Sequence, residues 1–149
     1  MEKLWQASVS LNHKELNAER LAEFARAGVR HIEFTGSEIA DFEDFLRDPQ
    51  AVYGLAKENG IKIRSIHLPF LPFTEIDPAA GNEEAGKKFI ETQQGLVKAA
   101  ASVGIEIAVI HPSGEPYSEE ERPERLACVI ERLSELKKIT DEYLSLIHI

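Results

Sequence analysis

Gly104-Ile105-Glu106-Ile107-Ala108-Val109-Ile110-His111-Pro112-Ser113-Gly114 is the stretch whose reading decides the fold. It is short, apolar and rich in β-branched residues, entered from a glycine and left through proline and glycine, which predicts a buried strand that delivers a histidine to a loop. The pattern occurs earlier as Gly60-Ile61-Lys62-Ile63-Arg64-Ser65-Ile66-His67-Leu68-Pro69, with the histidine at the same distance from its glycine. A looser copy is Gly28-Val29-Arg30-His31-Ile32-Glu33-Phe34-Thr35-Gly36, where Glu33 falls two residues short of that position. Side chains alternate faces along a strand, so Glu33, His67 and His111 are expected on one face with Val29, Ile63 and Val109. Three neighbouring strands would then point a carboxylate and two imidazoles the same way near their C-terminal ends.

The segments between these strands have helical signatures. Asn17 is a good N-cap for a helix over 18–27 with Leu21, Phe24 and Ala25 inward, and Gly28 ends it. Asp48-Pro49 starts a helix that runs to about Asn59 and stops at Gly60. Between them, 36–47 is read as a short helix on a loop. Asn82 caps a long helix over about 83–103, with Phe89, Leu96, Val97 and Ala100 inward and Gly104 closing it. A last helix from about Pro123 to Tyr143 carries Leu126, Val129, Ile130, Leu133, Leu136 and Ile139 at helical spacing. The first strand is expected over Trp5 to Leu11, with Asn12 and His13 opening the loop after it. Loop 68–81 holds Pro69, Pro72 and Pro78 with Phe70 and Phe73 between them, and is read as ordered, apolar and without a regular element.

Strict β-α alternation implies parallel strands joined by right-handed crossovers. An open doubly wound sheet and a closed (β/α)₈ barrel both satisfy it. No Gly-rich phosphate loop follows the first strand, and polar residues gather at the C-terminal ends of several strands, which favours the barrel.

The chain has 149 residues, enough for one domain with a core. A formal net charge of −9 argues against a polyanion as main partner. No apolar stretch approaches the roughly 20 residues of a membrane span. The lone Cys128 and the absence of a signal-peptide pattern at the start fit a reducing cytoplasm, the expected location. Cys128 reads as helix packing, since no acid-base partner is near in sequence.

The stretches Ser65-Ile66-His67-Leu68-Pro69-Phe70 and Val109-Ile110-His111-Pro112-Ser113-Gly114, with the Glu33 strand and the long helix between the histidines, resemble the xylose-isomerase-like superfamily of (β/α)₈ barrels. That superfamily holds sugar-phosphate isomerases and epimerases and endonuclease IV-type DNA repair enzymes. The fold class expected is therefore α/β, a parallel (β/α) chain. A (β/α)₈ barrel takes about 250 residues, so this chain supplies about four βα units and reads as the N-terminal half of one. Residues 1–143 are then a partial barrel. The end, Leu144-Ser145-Leu146-Ile147-His148-Ile149, matches the translation of a common sequencing-adapter end and is read as a non-native tail; a real short apolar strand is the alternative.

Neutral imidazole binds divalent transition metals, and two on adjacent strands can share one ion. Zinc usually takes about four ligands; His67 and His111 supply two, and Glu33 can add to or orient them. The cofactor expected is a divalent metal, Zn, Mn, Mg or Co. By resemblance, His67 and His111 match metal ligands in the endonuclease IV-like branch, whereas in the isomerase and epimerase branch their equivalents face substrate beside the metal. Glu33 is the candidate catalytic carboxylate; His13 and Phe70 are candidate substrate contacts. Against these stand plainer readings: a strand-end histidine satisfied in the core, Glu33 paired with a neighbouring base, and a proline loop that only covers the barrel mouth. His31 is expected as a buried, hydrogen-bonded core group.

What the resemblance implies is a metal-dependent isomerase or epimerase of a sugar or sugar phosphate, with a carbohydrate as partner and the chain alone inactive. An endonuclease would need basic residues on the strand-exit loops, yet 68–81 and 112–122 contain only Arg122 against several acids. A fragment without a role is the third alternative. A half barrel leaves sheet edges unpaired, so self-association is expected.

Overall fold

The computed structural model describes residues 8–112, 114, 117–143 and 146–148. The Trp5 end of the expected first strand, Ser113 and much of the tail lie outside the described residues. Five strands form one sheet: β1 Val9–Asn12, β2 His31–Thr35, β3 Lys62–His67, β4 Ile107–Val109 and β5 Leu146–His148. All neighbours pair in parallel, in the order β1-β2-β3-β4-β5. Spatial order equals chain order. A doubly wound sheet reverses its order at a switch point; this one never does, so its crossovers all run one way and its helices lie on one face.

The helices begin where capping chemistry starts them. The side chain of Asn17 accepts a hydrogen bond from Arg20 N at the start of α1, Ala18–Arg26. Asp48 accepts from Ala51 N ahead of α3, Pro49–Glu58, with proline in the first turn where its missing N–H is not needed. Asn82 accepts from Glu84 N at the head of α5, Glu83–Ser102. Gly28, Gly60 and Gly104 have φ of 87°, 71° and 82° just past α1, α3 and α5. That left-handed turn strains any residue with a Cβ, so the glycine opening each strand copy is also the stop of the helix before it.

Segment 36–47 forms a 3₁₀ turn, Ile39–Phe42, followed by α2, Glu43–Arg47. The core lies between the helices and the sheet face bearing Leu11, Ile32, Phe34, Ile63, Ile66 and Ala108. Phe42, Phe45, Phe89, Leu96 and Leu136 pack against it from the other layer. The opposite face carries Ser10, Asn12, Glu33, Thr35, Ser65, His67 and Val109 and is largely half-exposed.

Several expectations are corrected here. Ile63 is not on the face of His67. It pairs with Ile32, while Ser65 pairs with Glu33, so Arg64 is an extra residue that breaks the alternation of β3. His31 is half-buried rather than a core group. The proline loop contains one helical turn, α4 Phe73–Ile76, after a cis Leu71–Pro72 peptide; Pro72 stands at the N-cap, where no backbone N–H is required of it. The last helix, α6 Arg122–Tyr143, buries Val129, Leu136 and Thr140, whereas Leu126 and Ile130 are 56% and 58% exposed because they turn away from the core. Residues 146–148 take the strand position beside β4.

Candidate functional site at the strand C-termini

The site is built where β3 and β4 end. His67 is the last residue of β3 and pairs with Val109 of β4. His111 lies two residues past Val109, so the equal spacing in sequence sets the two histidines at different heights. The ladder continues above His67, where Leu68 N donates to Val109 O at 2.9 Å. The two rings nonetheless meet, with centroids 5.0 Å apart at 62°.

Phe70 completes the cluster. Its ring centroid is 4.2 Å from that of His111 and 5.8 Å from that of His67. Its backbone is fixed from two sides. Phe70 N and Leu71 N both donate to Ser37 O, at 3.1 and 2.9 Å, which ties this loop to the loop after β2. The fully buried Gln93 of α5 donates its side-chain N–H to Pro69 O at 2.9 Å. Phe73 stands 6.0 Å from Phe70 and extends the aromatic wall.

The environment tunes one imidazole. Burial of the His111 ring, and then the charge of His67 beside it, hold its pKa below the usual histidine value. A neutral imidazole offers a lone pair to a metal ion or a proton.

Glu33 sits one inward-facing layer lower, paired with Ser65 while Thr35 pairs with His67. That is about 7 Å along the strand. Both its oxygens are engaged: Ser10 Oγ donates to Oε1 at 3.0 Å and Ser65 Oγ to Oε2 at 3.1 Å. The carboxylate thereby links β1, β2 and β3.

His13 is drawn elsewhere. Its Nε2 is 3.4 Å from Asp41 Oδ1. The pair lines a cavity of about 290 Å³ with Phe34, Phe45, Val52 and Leu55, which none of His67, Phe70 and His111 borders. Burial works to raise the Asp41 carboxyl, but backbone N–H groups of Glu38 and Ser37, with the charges of His13 and Lys14, outweigh it and hold its pKa low. The structure therefore brings His67, His111 and Phe70 together, places Glu33 beneath them, and leaves His13 apart.

Two facing imidazoles suit a divalent transition metal chemically, but they are half of an ordinary ligand set. Among the described residues, no group of three or more His, Cys, Asp or Glu is placed to hold an ion.

Sequence reading missed Gln93 and Asp77. Asp77 is 4% exposed in an apolar loop. An acid wedged between Ile76 and Pro78 was the available signal, because a buried carboxylate requires partners.

Comparison with solved structures finds the same fold in longer chains. A D-tagatose 3-epimerase-like protein shares 21% identity at a TM-score of 0.76, over 96% of this chain and 51% of that one. D-psicose 3-epimerase from Clostridium cellulolyticum H10, solved with D-tagatose, shares 13% at 0.75, again over 96% and 51%. A sugar phosphate isomerase/epimerase from Parabacteroides distasonis shares 18% at 0.65, over 99% and 52%. The chain thus spans about half the length of the solved structures it matches. Comparison with curated proteins found no match. A family model described as xylose isomerase-like TIM barrel matches residues 21–147, from α1 through β5. With the sequential parallel sheet, that match shows that the chain belongs to the xylose isomerase-like TIM barrel family.

Proposed function

We propose that this chain carries the N-terminal half of the site of a metal-dependent sugar or sugar phosphate isomerase or epimerase. The observation that supports it best is the His67–Phe70–His111 cluster at the C-terminal rim of two consecutive parallel strands, the face on which such barrels carry their chemistry. The known fold alone would not suffice, since one barrel hosts many activities.

In this reading the Phe70 ring is a flat apolar wall for the C–H face of a carbohydrate. His67 and His111 present imidazole nitrogens to its oxygens or share an ion with them. The metal, when bound, polarises the carbonyl of a hydroxy-carbonyl substrate and acidifies the adjacent C–H. Glu33, held by Ser10 and Ser65, forms the floor beneath the rim. In this reading a carboxylate from outside this chain's four βα units moves the substrate proton, and among the described residues no third His, Cys, Asp or Glu joins the two imidazoles to hold an ion. The 149-residue chain by itself is therefore expected to bind without turning over.

The rim charge speaks against DNA as substrate. Loops 68–81 and 112–122 together hold one basic residue, Arg122, too few to follow a phosphate backbone.

The test is a titration of the histidine-labelled chain with Mn²⁺, then with D-tagatose, followed by NMR. Paramagnetic broadening of the His67 and His111 ring signals ahead of the other three of the five histidines, with that of His111 lost in H67Q and that of His67 lost in H111Q, is the expected result. Equal broadening of all five overturns the proposal.

A further inference from the structure

We propose that Asp77 and Arg125 are positioning residues that set the His111 loop against the aromatic wall. The inference rests on the reading that the His67–Phe70–His111 cluster is the site. Neither residue touches the imidazoles. Asp77 lies in the loop after β3 and Arg125 in the first turn of α6, and both act on a third segment, the loop after β4.

The contacts close a circuit. Asp77 Oδ1 accepts from Ala79 N at 2.8 Å within its own turn and from Gly114 N at 3.1 Å across the rim. Asp77 Oδ2 accepts from Arg125 Nη2 at 2.7 Å. The same Nη2 donates to Gly114 O at 2.8 Å. Both peptide groups flanking the Gly114 Cα are thus held by one ion pair. Gly114 in turn lies on the Phe73 ring so closely that a Cβ would come within 2.6 Å of two ring carbons. Phe73 is against Phe70, and Phe70 is against His111. The chain of contact runs from Asp77 through Gly114, Phe73 and Phe70 back to His111, three residues before Gly114.

A second arginine two turns along α6 holds the other end of the loop. Arg132 donates to Asp77 O at 3.3 Å, Pro78 O at 2.8 Å and Asn82 O at 3.2 Å. The Asp77 segment is therefore fixed to α6 by its backbone as well as by its carboxylate. A charge pair with side chains 20% and 6% exposed is an expensive way to add stability, because desolvation cancels much of its attraction. Its geometric fixity is the return: the two N–H bonds of one Nη2, fixed in the guanidinium plane, reach the Asp77 carboxylate and Gly114 O in set directions, whereas the rotating ammonium of a lysine on a flexible stem would hold them less firmly.

The test is the nuclear Overhauser effect between the Phe70 and His111 rings in the full chain, in D77N and in R125K. The native chain is expected to show it, D77N to lose it and R125K to weaken it, while the Phe34–Phe42 contact, with centroids 5.5 Å apart in the core, persists in every variant. If D77N fails to fold, R125K, which keeps the buried charge balanced, decides. A Phe70–His111 contact undiminished in a folded variant overturns the proposal. That outcome is separate from the Mn²⁺ titration, whose failure would remove the metal site but leave the ring contact as measured.

Discussion

Replacing Glu33 by alanine removes the acceptor that joins three strands, and the cost follows from which serine is left behind. Ser65 is 7% exposed, so its hydroxyl loses its partner where water reaches it poorly, at about 1–3 kcal/mol. Ser10 is exposed and rehydrates at little cost. We expect E33A to lose about 2 kcal/mol, a fall of about 4–8 °C in Tm for a domain of this size. E33Q keeps the shape; its amide N–H donates to one serine, whose hydroxyl turns to accept, and the loss should stay below about 1 kcal/mol. Urea unfolding of wild type, E33A, S65A and the double variant forms a thermodynamic cycle, with an expected coupling of about 1 kcal/mol. If E33A unfolds with wild-type stability, or the Glu33–Ser65 coupling is zero, the floor described above is not held by these hydrogen bonds.

G114A forces a methyl group into the Phe73 ring and should cost about 1–3 kcal/mol, read by thermal denaturation; a wild-type Tm would refute the contact. His111 has a folded pKa below the unfolded value of 6.5. Between those two pKa values the unfolded chain binds more protons, so this contribution to stability is fully present above 6.5 and is lost as pH falls through the window. H111Q should flatten the slope of stability against pH there, and an unchanged slope counts against the assignment. The outer strands of the sheet and the exposed Leu126 and Ile130 should drive concentration-dependent association in sedimentation velocity, reduced in L126E/I130E. A single monomeric species at every concentration contradicts this.

The helix starts and stops were legible because they are local. Asn17, Asp48-Pro49 and Asn82 open helices, and Gly28, Gly60 and Gly104 close them, by chemistry confined to a few neighbouring residues. Parallel architecture followed from strict alternation. That His67 and His111 stand at the ends of neighbouring strands was readable, but their equal spacing did not give the register: His67 pairs with Val109, two residues before His111. Partners far apart in the chain were not readable. His13 turns to Asp41, and Asp77 joins Arg125, because of how loops fold over the rim, and no periodicity encodes that. Which part of the α6 stripe is covered was not readable either: helical spacing gives a stripe, but the neighbouring elements decide its covered width, and Val129 and Leu136 are buried while Leu126 and Ile130 are not.

The surplus residue at Arg64 has a consequence for how this sheet tolerates change. Up to Ile63 the third strand counts odd and even one way; from Ser65 upward it counts the other. The lower segment answers to the packing of the helical layer, and the upper segment answers to the open mouth. A shift of phase between them lets each half of one strand obey a different neighbour. Deleting that single residue would knit the two segments into one unbroken alternation, with Ile63 still against Ile32 and Ser65 still against Glu33, so the strand can lose a residue here without turning any side chain over.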